Sequence, residues 1–450
     1  VAYIAPRQHQ LDLKDALLNA KGLGVVGYHG MGLGKTYTAI LAARNIITRL
    51  RPIYGDLVKV VVICPKSAIL TWKQELAKFA PDLIPYFVIV PYSQLKKFNM
   101  RISKSSFHYA LLVLDECHYI KNPLANRTLD FAYMLQIMSP TFHGKILPLT
   151  GTPIPNDAAE IYVNFWIVAS PNINMAIGKI LDTRAFEKFR EMFTHESQAS
   201  IKVKDFKSPS GFSYRQVTSY KGVANEEKFH QLIAPYVHYR RAEDCIDMPE
   251  KQVIPVRLEI PDDAMLKGAN MEMPDAYMSK LERIATAKTP YAVAWLEEFF
   301  KLDEQIVIFS LFTKGLRVLE QTFQGKIKLI TGRESQVERA QTIIAFQTGN
   351  LKAIAMSYGA GAESLNLQNA RNTLYLNFPW HDDKLAQAMA RTHRSGQVNR
   401  TNHYFLFSGE NDEACYNRVL QKRSFNESLR TRLREGTASP VPREYEGLGL

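Results

Sequence analysis

The sequence predicts an α/β chain of two tandem parallel-sheet domains with a helical and hairpin segment between them. Three observations carry that reading. Short β-branched apolar runs alternate with helix-like segments early in the chain, the alternation stops between about Ser170 and Glu250, and it resumes afterwards. With 450 residues and 46% hydrophobic content, the chain can bury more than one core, and domains of roughly 150 residues would make two or three of them.

In the first region, the apolar Gly24 to Val26 and the runs Lys59 to Cys64, Phe87 to Val90, Leu111 to Leu114 and Lys145 to Leu149 each end at turn or polar residues, and Tyr37 to Ile47 is helical in pattern. Such runs read as parallel strands, whose carboxyl ends are where ligands sit in open α/β sheets. This domain is set at residues 1–169. An insertion and linker, 170–250, holds the helix-like Ala185 to Phe193, followed by Ile201 to Tyr220. The Ser208-Pro209-Ser210-Gly211 centre of that last stretch predicts a hairpin. The second sheet domain, 251–435, opens with a helix over Ala276 to Phe300 and continues through strands at Gln305 to Ser310, Ala353 to Ser357 and Thr373 to Asn377. Beyond Asn411 a helix carries Arg418, Lys422, Arg423, Arg430, Arg432 and Arg434, and residues 436–450 read as a flexible tail.

No apolar run approaches the roughly 18 to 20 residues that cross a bilayer, and Val1 to Gln10 lacks a basic segment followed by an apolar one. The expectation is a protein with no membrane partner, cytoplasmic in a bacterial or viral setting and nuclear in a eukaryotic one. Cys64, Cys117, Cys245 and Cys415 form no CxxC pair, which predicts reduced structural thiols rather than a zinc site or a disulfide framework. The net charge of +12, from 56 Lys and Arg against 44 Asp and Glu, suits a polyanionic partner and equally suits a merely soluble surface.

The chemistry is concentrated in two places. Gly30-Met31-Gly32-Leu33-Gly34-Lys35-Thr36 lies between an apolar run and a helical one, as a phosphate loop does. Backbone N–H groups freed by Gly32 and Gly34 wrap the phosphates, Lys35 reaches the β and γ phosphates, and Thr36 holds magnesium. The first glycine of the longer Walker pattern falls on His29, so the loop is the shorter form. Asp115-Glu116-Cys117-His118 follows Leu111 to Leu114 and brings two carboxylates to a strand end. Two adjacent acids alone more often mark a solvated strand end. Paired with the Lys35 loop, they become Asp115 for magnesium and Glu116 for activating water.

With these residues in place, the chain resembles a superfamily two helicase of the SWI/SNF-related branch, and motifs in the same order span nearly its whole length. The resemblance implies RecA-like domains forming a helicase core that uses ATP and Mg2+. Arg7-Gln8-His9-Gln10 resembles the adenine-reading motif, with Gln10 on the base. Val61 to Ser67, continuing through Trp72 to Glu75, resembles motif Ia, which makes Lys66 and Ser67 nucleic-acid contacts. Leu149-Thr150-Gly151-Thr152-Pro153 resembles motif III, where hydrolysis is coupled to movement, and Thr150 is expected to contact nucleic acid. Ile306 to Ser310 and Ser357 to Leu367 resemble motifs IV and V. Asn366 is retained as a nucleic-acid contact, while Tyr358-Gly359 and Ala362-Glu363-Ser364 depart from the family pattern. Gln387 to Gln397 resembles motif VI, which gives Gln387 to the nucleotide and makes Arg391 and Arg394 arginine fingers on one helix face. Trp380 is expected to pack rather than to stack on a base.

Lys221 to Glu227, Tyr239 to Glu243, Met248 to Lys251 and Leu281 to Phe300 are similar to the linker of the annealing-helicase subgroup, which implies branched DNA as the substrate. The expected activity is an ATP-driven motor on double-stranded and branched DNA that ignores base sequence. Lys66, Arg240 and Arg241 are its candidate phosphate contacts, and RNA is the less favoured partner. Lys202, Lys204, Phe206, Lys207, Phe212 and Tyr214 form a candidate strand pin on the hairpin. Two alternatives stay open: a duplex translocase that separates no strands, and an ATP-gated nucleic-acid clamp. The sequence names no protein partner.

Overall fold

The chain is described by a computed structural model covering residues 5–151, 157–204, 212–260, 274–361, 365, 367–379, 382–410, 412–417 and 419–420. The described residues form two six-stranded sheets and one two-stranded hairpin. The strands in chain order are β1 (Val26–His29), β2 (Val58–Cys64), β3 (Phe87–Pro91), β4 (His108–Asp115), β5 (Phe142–Thr150), β6 (His195–Lys204), β7 (Phe212–Lys221) and β8 (Val237–Arg240). The first sheet runs β3-β2-β4-β5-β1-β8 with every pairing parallel.

Its central strands are apolar on both faces because helices cover both, as a parallel sheet requires. Along β2, Val60 and Val62 enter one core with Leu13, Ile40, Trp72 and Leu76. Val61 and Ile63 enter the opposite core with Leu112, Leu114, Phe131 and Leu135. The apolar run expected at Gly24 to Val26 belongs to the strand only at its last residue, because β1 extends to His29, where it pairs with β8.

The expected boundary at residue 169 is corrected. The chain divides between Cys245 and Ile246. Helices Ile173–Leu181, Thr183–Phe193 and Glu226–Ile233 bury Ile180, Phe186, Phe189, Phe193, Phe229 and Ile233 in the core of the first sheet, and β8 extends that sheet beyond β1. Their amphipathic faces find apolar cover there and so form part of the first domain. The hairpin is present and longer than expected, with β6 and β7 antiparallel from His195↔Lys221 to Lys204↔Phe212. Its expected turn, with Phe206 and Lys207, lies outside the described residues, as do Trp380 and the named basic residues of the C-terminal helix.

The second unit contains β9 (Lys251–Arg257), β10 (Ile306–Ser310), β11 (Ile327–Ile330), β12 (Ala353–Ser357), β13 (Asn372–Tyr375) and β14 (Thr401–Phe407). Their order is β11-β12-β10-β13-β14-β9, again wholly parallel. Helix Pro274–Phe299 is fastened to the end of β14 by a buried ion pair. Lys288 Nζ lies 2.8 Å from Asp412 Oδ2 and donates to the Leu406 carbonyl at 2.6 Å, while the Ser408 N–H and hydroxyl donate to the same carboxylate oxygen at 2.8 and 2.7 Å. These added hydrogen bonds offset the desolvation that makes an isolated buried pair costly. No described helix is long and apolar enough to cross a membrane, and all four cysteines are free thiols.

His403, on β14, is fully buried and hydrogen-bonds the Tyr375 hydroxyl at 3.0 Å. Burial, aided by the charge of Lys251, lowers its pKa to about 3 from 6.5. Because the folded value lies below the unfolded one, stability is fully present above about pH 6.5 and is lost as the pH falls toward 3. From pH 7 to pH 5 this imidazole alone should remove about 2 kcal/mol. His403→Asn keeps an acceptor at the Nδ1 position and cannot titrate, so in urea titrations it should lose correspondingly less over that interval. An equal loss in variant and wild type would show that His403 is not held neutral.

Candidate active site

Strand register builds the site. Asp115 of β4 stands opposite Leu149 of β5, and Tyr28 of β1 stands opposite Thr150. Three adjacent strands therefore end within two residues of one another, at the carboxyl edge where open α/β sheets bind ligands. The loop after β1 turns through Gly32 at φ 79° and Gly34 at φ 73° into helix Lys35–Tyr54. At Gly34 the left-handed backbone favours glycine, and an added Cβ would also meet Gln10 Nε2 at 2.3 Å. The 20-residue helix directs its free N–H groups and positive dipole end at this loop. Lys35 Nζ donates to the His29 carbonyl at 3.0 Å and to that of Gly30 at 3.4 Å. It lies beside the end of β5, where a Cβ on Gly151 would sit 3.7 Å from it.

The two carboxylates have different environments. Asp115 accepts a hydrogen bond from the buried Trp72 indole at 2.9 Å. Burial and the adjacent Glu116 charge push its pKa up to about 6, opposed by the Trp72 bond and the Lys35 charge. Glu116 occupies the left-handed region at φ 53°, which costs a non-glycine residue about 1–3 kcal/mol. That turn lets Glu116 Oε2 accept from the Thr150 hydroxyl at 3.1 Å, with His118 Nδ1 at 3.4 Å. Thr150 is corrected as a nucleic-acid contact: it is 1% exposed and directed at Glu116.

The half-buried carboxylate of Asp115 and the half-buried Thr36 on the first turn of the helix supply hard oxygen donors, which fits a magnesium ion that takes its remaining ligands from phosphates and water. Bound there, the ion would neutralise charge on the phosphate oxygens. In such a site Lys35 would supply a positive charge, Asp115 a ligand held by Trp72, and Glu116 a proton acceptor oriented by Thr150.

Gln10 is fully engaged by the chain. Its Oε1 accepts from the Arg7 N–H at 2.9 Å and its Nε2 donates to the Leu33 carbonyl at 3.0 Å, beside the His9 imidazole on the same carbonyl at 2.9 Å. Gln10 thus caps its own helix, Gln8–Leu18, and pins the phosphate loop. The sequence reading missed the supports supplied by His9, Trp72 and His118. The spacing of Arg7 and Gln10 is a capping signal visible in the text. The Trp72 bond crosses 43 positions and leaves no local trace.

In the second unit, the helix expected through both arginines ends at Met389. Arg391 and Arg394 follow it in a turn, because Thr392 is drawn into the core by a 2.9 Å bond to Thr373 of β13. Both guanidinium groups converge on the Leu365 carbonyl, at 3.5 and 3.2 Å. Gln397 holds the turn closed, donating to the carbonyls of Gln368, Ala370 and Thr392 and accepting from the N–H groups of Val398 and Asn399. Gln387 is buried on the preceding helix.

Of the expected nucleic-acid contacts, Lys66 is exposed and Ser67 half-buried in the turn after β2. Arg240 approaches Asp12 at 3.4 Å, and Arg241 forms a two-pronged pair with Asp244 at 3.0 and 3.1 Å, so both charges are partly spent within the chain. Lys202 and Lys204 lie on β6, and Phe212 and Tyr214 on β7. Asn366 and the motif III residues Thr152 and Pro153 lie outside the described residues.

The sequence matches the SNF2-related domain over residues 16–89 and the helicase conserved C-terminal domain over residues 292–396. A SWI/SNF-related matrix-associated actin-dependent regulator of chromatin subfamily A-like protein 1 from Xenopus tropicalis is 24% identical, over 87% of this chain and 41% of its own length. The human DNA annealing helicase and endonuclease ZRANB3 is 20% identical over 87% of this chain and 37% of its own length. The chain thus spans about two fifths of these relatives. A putative ATP-dependent RNA helicase of Acanthamoeba polyphaga mimivirus is 24% identical over 83% of this chain and 81% of its own. The solved Sulfolobus solfataricus SWI2/SNF2 ATPase core in complex with dsDNA aligns over 95% of this chain and 93% of that one, at 20% identity and a TM-score of 0.39. The SNF2-related match contains this phosphate loop and is followed in the same chain by the helicase C-terminal match, so the chain is similar to ATP-dependent helicases of the SWI/SNF-related branch.

Proposed function

We propose that the chain is a DNA translocase that spends ATP to remodel branched DNA such as forks and four-way junctions. The observation that carries the motor reading is the hydrogen bond from Thr150 to Glu116, which joins the water-activating carboxylate to the strand end where motif III begins. A contact of that kind is suited to passing the state of the nucleotide from β4 to β5. Support for a branched substrate comes from the linker residues Tyr239 to Glu243 and Met248 to Lys251, and from the relative named as a DNA annealing helicase. Phosphate contacts would make binding independent of base sequence and sensitive to salt.

Lys35→Ala and Arg394→Ala should each lower DNA-stimulated hydrolysis by about 10³-fold or more, and near wild-type turnover in either would overturn the assignment of that residue. Thr150→Val keeps the shape and removes the hydroxyl. It should lower kcat by roughly tenfold, as expected for one lost hydrogen bond to a charged group, with little change in KM. A labelled four-way junction and a fork, assayed beside duplex, single strands and RNA, test the substrate: strand exchange that requires ATP supports remodelling, and hydrolysis without exchange favours the plain duplex translocase. Deleting residues 202–220 should leave DNA-stimulated hydrolysis intact and abolish junction processing, and intact processing would remove the pin.

A further inference from the structure

At the start of the phosphate loop stands a histidine pair for which the ATP chemistry described above has no use. His29 is the last residue of β1 and has no solvent exposure. Its Nε2 lies 2.8 Å from Nδ1 of His238 on β8, with the rings 5.0 Å apart. Its other nitrogen, Nδ1, is buried without a partner. One of the two facing nitrogens must carry the proton. A lone pair is cheaper to leave unpaired in the interior than an N–H, so His29 donates from Nε2 and His238 accepts at Nδ1. Burial keeps both rings neutral, lowering His29 to about 2 and His238 to about 4, with smaller contributions from neighbouring charges.

The same residue holds the phosphate lysine, since the His29 carbonyl accepts from Lys35 Nζ at 3.0 Å. The backbone repeats the connection to β8: His29 is in register with Arg240, and the Gly30 N–H donates to the Arg240 carbonyl at 2.9 Å. A Cβ on Gly30 would stand 2.9 Å from the Ala242 nitrogen, so loop and strand approach as closely as a glycine allows. β8 lies at the edge of its sheet and is paired only with β1 among the described strands, and among the described residues the first unit ends shortly after it at Cys245. The side-chain bond is therefore a second fastening between the phosphate loop and the edge strand that closes the first unit.

We infer that His29 and His238 are positioning residues for nucleotide binding, and that their hydrogen bond fixes β1 against β8 so that the His29 carbonyl holds Lys35 where phosphates are bound. They act through Lys35 and touch no reacting atom. Loosening the bond weakens nucleotide binding and, because Lys35 also serves hydrolysis, slows the chemical step far less than removal of Lys35 does. The inference rests on Lys35 being the phosphate lysine, and Lys35→Ala, measured alongside, tests that assignment separately.

The experiment is ADP titration by calorimetry with Mg2+, together with KM and kcat for ATP at saturating duplex DNA. His238→Leu should raise the Kd for ADP and the KM for ATP by roughly five- to thirtyfold, the size expected when a buried imidazole loses its hydrogen-bond partner. The kcat should fall far less than it does in Lys35→Ala. His238→Asn presents an acceptor at the Nδ1 position and should restore affinity. The double variant His29→Leu with His238→Leu leaves no orphaned nitrogen, so it provides a folded protein without the bond, and it too should bind ADP weakly. Wild-type affinity in the double variant, equal weakening by Asn and Leu at 238, or a fall in kcat with unchanged Kd would each overturn the proposal.

Discussion

The parallel register of β4, β5 and β1 is the constraint on which the ATP site depends. Parallel strands end on the same side, and here three adjacent ones end within two residues of one another, so Asp115, Thr150 and His29 arrive at one edge although the sequence separates them widely. No side chain has to reach far. Asp115 is half-buried at the end of a strand flanked by helices on both faces, and its desolvation raises its pKa and gives a divalent cation something to stabilise. Glu116 leaves the strand through a strained turn that a hydroxyl from the adjacent strand holds in place. A one-residue slip of β5 against β4 would put Leu149 where Thr150 belongs and leave the glutamate without its partner.

The cost of the site falls within a few residues: a left-handed glutamate, a half-buried aspartate with a raised pKa, and a buried imidazole with one orphaned nitrogen. Each is destabilising alone, and each is over-determined by its surroundings, as strained functional groups must be. The apolar layers on both faces of β2 and β4 supply the compensating burial. The second unit places its largest polar expense elsewhere. The Lys288–Asp412 pair lies at the end of β14, and its additional hydrogen bonds make it a fastening between helix and sheet.

Much of this was legible in the sequence, because the signals were local. The phosphate loop, the two acids after an apolar run and the strands at Lys59, Phe87 and Ala353 all lie close to where the text puts them. What was not legible depended on tertiary context. The segment 170–245 reads as an insertion because its alternation stops, yet its aromatic faces and β8 complete the first core. The arginines of the second unit have helical spacing, yet Thr392 turns inward to Thr373 and ends the helix first. Arg240 and Arg241 read as free basic charge, and their acids, Asp12 and Asp244, emerge only once the chain is folded. Net charge therefore overstates what these two arginines offer to a polyanion.

Tyr358 bears on whether the chain turns over ATP or merely clamps. Its departure from the family pattern is the sequence feature that favours a clamp, which grips without moving. In the fold, Tyr358 is buried, stacked on Phe309 at 5.6 Å, and donates its hydroxyl proton to the Asn377 carbonyl at 2.7 Å. The substitution is thus accounted for by packing: a tyrosine fills the space between β10 and the segment after β13 and satisfies its own polar atom there. It gives no ground for loss of turnover. The oriented Glu116, by contrast, has a geometry suited to activating water in the proposed motor, and a clamp has no need to hold a glutamate in a strained conformation against a threonine hydroxyl. The strain is therefore best explained by hydrolysis, and with hydrolysis comes the cycle that a motor requires.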